Sequence, residues 1–210
     1  LRADLYKQLS LKRPKRKPRQ RSQTRGRPYR EALKISERPA EVADRAVPGH
    51  WEGDLIVGSD GRSAIGTLVE RSTRFVLLLH LPGRHDAEAL RDAMIPTMQN
   101  LPEHLRRSLA WDQGSEMARH HEIRIAADLP IYFCDPHSPW QRGSNENTNG
   151  LLRQYFPKGT DLSRWSAQEI EAVAHALNTR PRKSLGWKTP AEVFNEHLLL
   201  HQQAGVASTG

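Results

Sequence analysis

The stretch His50-Trp51-Glu52-Gly53-Asp54-Leu55-Ile56-Val57 alternates along its length and runs into a Ser59-Asp60-Gly61 turn. Residues two apart share a strand face, so this pattern predicts a β-strand with Glu52 and Asp54 on the same side. Aspartate is depleted in strand interiors, and a half-buried one without a partner is costly. Asp54 is therefore the residue that first asks for an explanation. Downstream, Ala64 to Glu70 is rich in β-formers, Ser72-Thr73 turns the chain, and Arg74 to Leu81 reads as a third, apolar strand. Three strands joined by short turns predict an antiparallel meander.

Beyond the meander the period changes. Leu90, Met94, Met98 and Leu101 recur at helical spacing, and Pro96 is expected to kink that helix or end its first half. Ser108 to Trp111 is a short strand that stops at Asp112. Residues 117–128 read as a helix, 131–134 as a strand, 135–143 as a loop punctuated by Pro and Gly, and 146–156 as a helix. Ser166-Ala-Gln-Glu169 and Thr189-Pro-Ala-Glu192 are capping boxes that start two more helices, the second with Pro190 at its first position. Strands interleaved with helices predict an α/β domain, a mixed sheet flanked by helices.

The 210 residues carry 32 Lys+Arg against 24 Asp+Glu, a net charge of +8, with a mean hydropathy of −0.72. The charge is unevenly placed. Residues 1–47 hold 15 basic and 5 acidic side chains, while residues 48–210 hold 17 and 19. The division predicts a basic, extended or disordered arm over 1–47, a core over 48–200 and a flexible tail over 201–210. Within the arm, Lys12-Arg13-Pro14-Lys15-Arg16-Lys17-Pro18-Arg19 is too proline-broken for a helix. It reads either as a solvated linker or as one that also lies along phosphates, for which Lys15, Arg16, Lys17 and Arg19 are the candidates. A lone cysteine, Cys134, excludes an internal disulfide framework and any zinc site needing two thiolates. It falls in a strand and reads as a small buried apolar residue. No run approaches the roughly 18 apolar residues of a membrane span, which leaves a cytoplasmic protein with an anionic partner as the expectation.

Three acids sit at the margins of packed elements. Asp54 lies in the first strand, Asp112 caps a short apolar strand, and Glu146 opens a helix whose Leu151 and Leu152 point elsewhere. On that helix Asn149, Gly150 and Arg153 share the Glu146 face. Each acid has a local alternative: Asp112 as a helix N-cap, Glu146 as a favourable charge at the positive end of its helix. Together they form a set of oxygen donors that suits hard divalent cations.

Three segments carry a resemblance. They are Gly49-His-Trp-Glu-Gly-Asp-Leu-Ile56, Trp111-Asp-Gln-Gly-Ser-Glu-Met117, and the long run Pro136-His-Ser-Pro-Trp-Gln-Arg-Gly-Ser-Asn-Glu-Asn-Thr-Asn-Gly-Leu-Leu-Arg-Gln-Tyr-Phe-Pro-Lys-Gly159. They resemble the IS30 family of bacterial insertion-sequence transposases, and the likeness extends over about residues 38–198 through Asn178-Thr-Arg-Pro-Arg182 and Trp187 to Phe194. The family carries a triad of two aspartates and a glutamate with 33 residues between its last two acids, as between Asp112 and Glu146 here.

The resemblance implies a ribonuclease-H-like, retroviral-integrase-like fold. It assigns Asp54, Asp112 and Glu146 as catalytic residues holding two Mg²⁺ or Mn²⁺ ions. Hydrolysis at an element end would expose a 3′-OH that attacks target DNA, with at least two copies of the protein bringing two ends together. Transposon ends and target duplex are the expected partners. Trp140 and Arg142, on a loop before Glu146, and Arg153 and Lys158, after it, are candidate DNA contacts; His137 is a candidate substrate contact. Glu52 is expected to stand behind Asp54, Glu116 to lie on a helix surface, and His120-His121 to be structural. The family's N-terminal helix-turn-helix region has no counterpart here, so the chain reads as a fragment. A ribonuclease-H-type nuclease and a DNA-binding regulator of a longer transposase are the alternatives.

Overall fold

The computed structural model describes residues 32–42, 45–81, 83–136 and 138–207. Lys15, Arg16, Lys17, Arg19 and His137 lie outside the described residues.

The meander forms as expected from β2 (His50–Val57), β3 (Ala64–Glu70) and β4 (Val76–Leu81), with β2 antiparallel to β3 and β3 to β4. The third strand starts at Val76 rather than Arg74, because Arg74 adopts φ 63° in the preceding turn. The Glu70 carboxylate holds that turn, accepting from Thr73 N at 2.6 Å, Thr73 Oγ1 at 2.7 Å and Gly49 N at 3.0 Å. On the other side of β2 the sheet turns parallel. β5 (Ser108–Trp111) pairs with β2, and β6 (Ile131–Phe133) pairs with β5.

A sixth strand departs from the expected boundary at residue 48. β1 (Leu33–Lys34) pairs in parallel with β6, completing the order β1-β6-β5-β2-β3-β4. Leu33 and buried Ile35 pack on Ala110, Tyr132 and Cys134, and Val42 is also buried. Apolar burial, which Leu33, Ile35 and Val42 dispersed among charges do not advertise, recruits this segment to the sheet.

Helices cover the sheet. α1 (Ala87–Gln99) is capped by Asp86, which accepts from Ala89 N at 3.0 Å, and it runs on through Pro96. The proline removes one hydrogen bond near the helix end, while buried Leu90, Met94 and Met98 keep that stripe anchored. The predicted helix over 117–128 is shorter, a 3₁₀ turn (Ser115–Met117) followed by α2 (His120–Ala126). The 135–143 loop contains a further 3₁₀ turn (Pro139–Arg142), and α3 (Gly143–Leu152) begins three residues ahead of Glu146. Both predicted capping boxes are present, opening α4 (Ala167–Asn178) and α5 (Pro190–Ala207). The latter carries helix into the segment expected to be a tail. None of the described helices is long and apolar enough to cross a membrane.

One core decides where the site falls. Ile56 and Ile65 of the sheet meet Leu152 and Phe156 from α3 and its end, and Ile170, Val173 and Leu177 of α4. Burying each such side chain contributes about 1.5–3 kcal/mol. Ile56, Asp54 and Glu52 alternate on one face of β2, so the packing that seats α3 on Ile56 also sets α3 over the two acids. At the far edge Asn178, ending α4, takes up the backbone of β4: Val76 N donates to its Oδ1 at 2.8 Å, and its Nδ2 donates to Val76 O at 2.9 Å.

Candidate active site

Parallel pairing of β2 and β5 matches Glu52 with Ala110. Carried two residues further, the register brings Asp54 level with Asp112 where β5 ends. The close approach has a requirement on the opposite face: a Cβ at Gly53 would run into the ring of fully buried Trp111.

Asp54 is held from two directions. Its Oδ1 accepts from Leu55 N at 2.9 Å, and its Oδ2 accepts from Asn149 Nδ2 of α3 at 3.1 Å. Asp112 accepts from Gln113 N at 2.7 Å, so it braces the strand exit rather than capping a helix. Between the two acids lies Arg142. Its guanidinium is 3.4 Å from Asp54 Oδ1 and 3.3 Å from Asp112 Oδ2, and it donates to Gly53 O at 2.8 Å. The Arg142 side chain is only 12% exposed, and its Nε is buried with no hydrogen-bond partner among the described residues. One cation thus bridges the two carboxylates.

Glu146 is exposed on α3, one turn before Asn149 and on the same face. It is not gathered with the aspartates, and no cluster of three or more acid, His or Cys side chains among the described residues is close enough to hold a metal ion. Arg153, further along that face, donates to Phe156 O at 3.3 Å and Val57 O at 3.4 Å, and burial holds its guanidinium below the usual value. Lys158 is exposed after α3, and Trp140 is 74% exposed on the 3₁₀ turn. A cavity of about 560 Å³ opens beside Asp54 and is lined also by Arg62, Arg84, His85, Asp86 and Glu116. Glu116 is tied there by the Trp111 indole, 3.2 Å away.

The most buried acid on this face is Glu52. It is 1% exposed, and its Oε2 accepts from Ser144 N at 2.8 Å and Asn145 N at 3.0 Å. These are unpaired amides of the first turn of α3, where a negative charge also meets the positive end of the helix. Arg71 balances it at 3.4 Å from Oε1. Thr67 adds a second tie, donating to Asn145 Oδ1 at 3.0 Å. Glu52 therefore locates the helix that carries Glu146 and Asn149. Thr67, Asn145 and Arg71 carried no signal in the sequence, because each acts only through a partner remote along the chain. Away from the acids, burial pushes the Cys134 thiol up to about 11, and His120 stacks edge-on against Phe133.

The integrase core domain family matches residues 44–139 of the chain. The transposase of insertion sequence element IS1086 from Cupriavidus metallidurans is 52% identical over 198 residues, covering 94% of this chain and 58% of that protein. Transposase InsI of element IS30C from Escherichia coli is 48% identical over 166 residues, covering 79% of this chain and 43% of its own length. The chain thus spans about half the length of these relatives. A chain of a simian T-cell lymphotropic virus intasome matches with a TM-score of 0.55 at 18% identity, covering 70% of this chain and 54% of that one. Six mixed strands flanked by helices, with this match, define a ribonuclease-H-like integrase core. Within that class the chain's likeness is to transposases of IS30-type insertion sequences, over the part of their length that it spans, and it contains an integrase core region.

Proposed function

We propose that the chain is the catalytic core of a DNA transposase that cleaves a phosphodiester at an element end and joins the freed 3′-OH to target DNA. The observation that carries this reading is the juxtaposition of Asp54 and Asp112 around one shared cation, under the helix that bears Glu146. Two carboxylates already spanned by a guanidinium are a donor set that fits Mg²⁺ or Mn²⁺. Asp54 and Asp112 would hold the ions, completed by Glu146 from α3. When bound, two such ions supply Lewis-acid activation of water or a 3′-OH and stabilise the leaving oxygen.

The chain's own groups do the positioning. Asn149 fixes one Asp54 oxygen and leaves the other facing Arg142. Glu52 anchors the start of α3, so Glu146 has only the travel its rotamers allow. Arg142 occupies the space between the two carboxylates, and with ions held there its guanidinium would be free to meet a phosphate, which it suits as a bidentate donor. Transposon ends and target duplex are the proposed substrates, and joining two ends calls for at least two copies.

Asp54→Asn tests the assignment. With duplex ending in the element's terminal sequence and Mg²⁺ or Mn²⁺, the variant is expected to lose nicking and strand transfer by more than a hundredfold while keeping its fold. Full activity in the variant would overturn the reading. Pre-cleaved DNA distinguishes a transposase, which joins it to a new duplex, from a nuclease, which only hydrolyses.

A further inference from the structure

On the side of α3 turned away from Glu146 lies a separate cavity of about 320 Å³, lined by Arg45, Arg74 and Arg182 with Ser144, Asn147 and Thr148 of the helix. At 100° per residue the mean direction of these three helix positions is about 180° from that of Glu146, Asn149 and Arg153. Among the described residues, no carboxylate lines the cavity. The nearby acids are committed elsewhere, Glu52 to Arg71 and the α3 amides, and Glu70 to Gly49 and Thr73. None of the three arginines forms an ion pair among the described residues. Arg74 donates to the Ser144 hydroxyl, while Arg182 reaches Leu177 O at 3.2 Å and its buried Nε has no hydrogen-bond partner among the described residues. Burial and then the neighbouring Arg45 both lower the Arg74 pKa; burial and then Arg180 do the same for Arg182. Glu52 and Glu70 offset this for Arg74 only in part; crowded, partly desolvated guanidinium groups with no carboxylate in contact among the described residues are costly, and an anion entering between them lowers that cost.

We propose that this arginine-lined cleft binds a backbone phosphate of DNA that does not react. The proposal rests on the DNA-processing reading above and adds a second point of contact to it. A phosphodiester offers two charged oxygens to guanidinium forks and accepts from the Ser144 and Thr148 hydroxyls. The phosphate undergoing chemistry must meet Asp54 and Asp112, and the described residues of this cleft offer guanidinium and hydroxyl groups instead, so this contact positions the duplex. It lies across α3 from the acids, which sets the two phosphates on opposite flanks of one helix.

Anisotropy of a labelled duplex, titrated over a range of KCl with the full chain, supplies the test. Each phosphate contact steepens the plot of log K against log salt by about 0.9. Arg45→Gln/Arg182→Gln, which removes the one phosphate contact, is expected to flatten the plot by about 0.9 and to weaken binding about tenfold or more at low salt. Wild-type slope and affinity in the double variant would overturn the cleft while leaving the DNA reading intact. A wild-type chain with no salt-dependent binding would overturn both. A second measurement does not depend on the variant's stability. Exposed Ser184 lines the same cavity, and Ser184→Cys is expected to form a disulfide with a duplex thiol-tethered at a backbone phosphate. Wild type, whose Cys134 is buried, is expected not to. Failure of Ser184→Cys to cross-link while it binds the duplex normally, or protection of it by inorganic phosphate with no effect of duplex, overturns the proposal.

Discussion

Arg142 brings one positive charge between two carboxylates that would otherwise repel each other across neighbouring strands. With Asp54 and Asp112 about a third and a half exposed, the contact stabilises by only about 1 kcal/mol. Arg142→Ala is therefore expected to lower the melting temperature by a few degrees, and added Mn²⁺ is expected to restore more in the variant than in wild type. Identical Mn²⁺ responses in scanning fluorimetry would show that ion and guanidinium do not compete. The two aspartates were legible from sequence, since each breaks a strand's pattern at a place where it must be satisfied. The pairing of Arg142 with both was not, because it depends on a strand register between segments far apart in the chain. Gly53 shows the same dependence. Its missing side chain makes room for the Trp111 ring, so Gly53→Ala should cost about 1–3 kcal/mol in urea unfolding. Wild-type stability would mean that β2 and β5 can separate at the site.

At the scale of elements, α3 is the piece whose placement matters most. Glu52→Ala leaves Arg71 buried without its counter-ion and two amides without an acceptor, at an expected cost of about 3–5 kcal/mol. Glu52→Gln keeps an oxygen for the amides and should cost less; chemical denaturation of the pair ranks them. Equal losses would make the charge, not the cap, the source of stability. Leu151 and Leu152 mark this helix, but it ends at Leu152 rather than at the expected residue 156, and its start at Gly143 escapes a local reading. The residue that caps it lies some ninety positions earlier in β2. β1 escapes for a different reason: two residues with a modest apolar pair gain their meaning only from the open edge of β6.

For the molecule as a whole, acid sensitivity has an identifiable origin. Burial pushes His50 down from 6.5 to about 4, with its Nδ1 at 2.7 Å from Ser108 Oγ where β2 meets β5. The unfolded chain binds this proton first, so the contribution is complete above about pH 6.5 and is lost as pH falls toward 4. Its upper limit is roughly 3 kcal/mol. His50→Asn should flatten the stability profile between pH 6.5 and 4 by denaturant melts; an unchanged profile would assign the loss to other groups. The two flanks of α3 carry a thermodynamic obligation of their own. The helix is one rigid wall shared by the acids and the arginine cleft, and a ligand that shifts it on one flank shifts it on both. By reciprocity, whatever free energy a phosphate in the cleft lends to the acid side must be returned when the acid side is filled. On the proposed reading, a duplex seated correctly on one flank would license the other, and a badly seated one would withhold it.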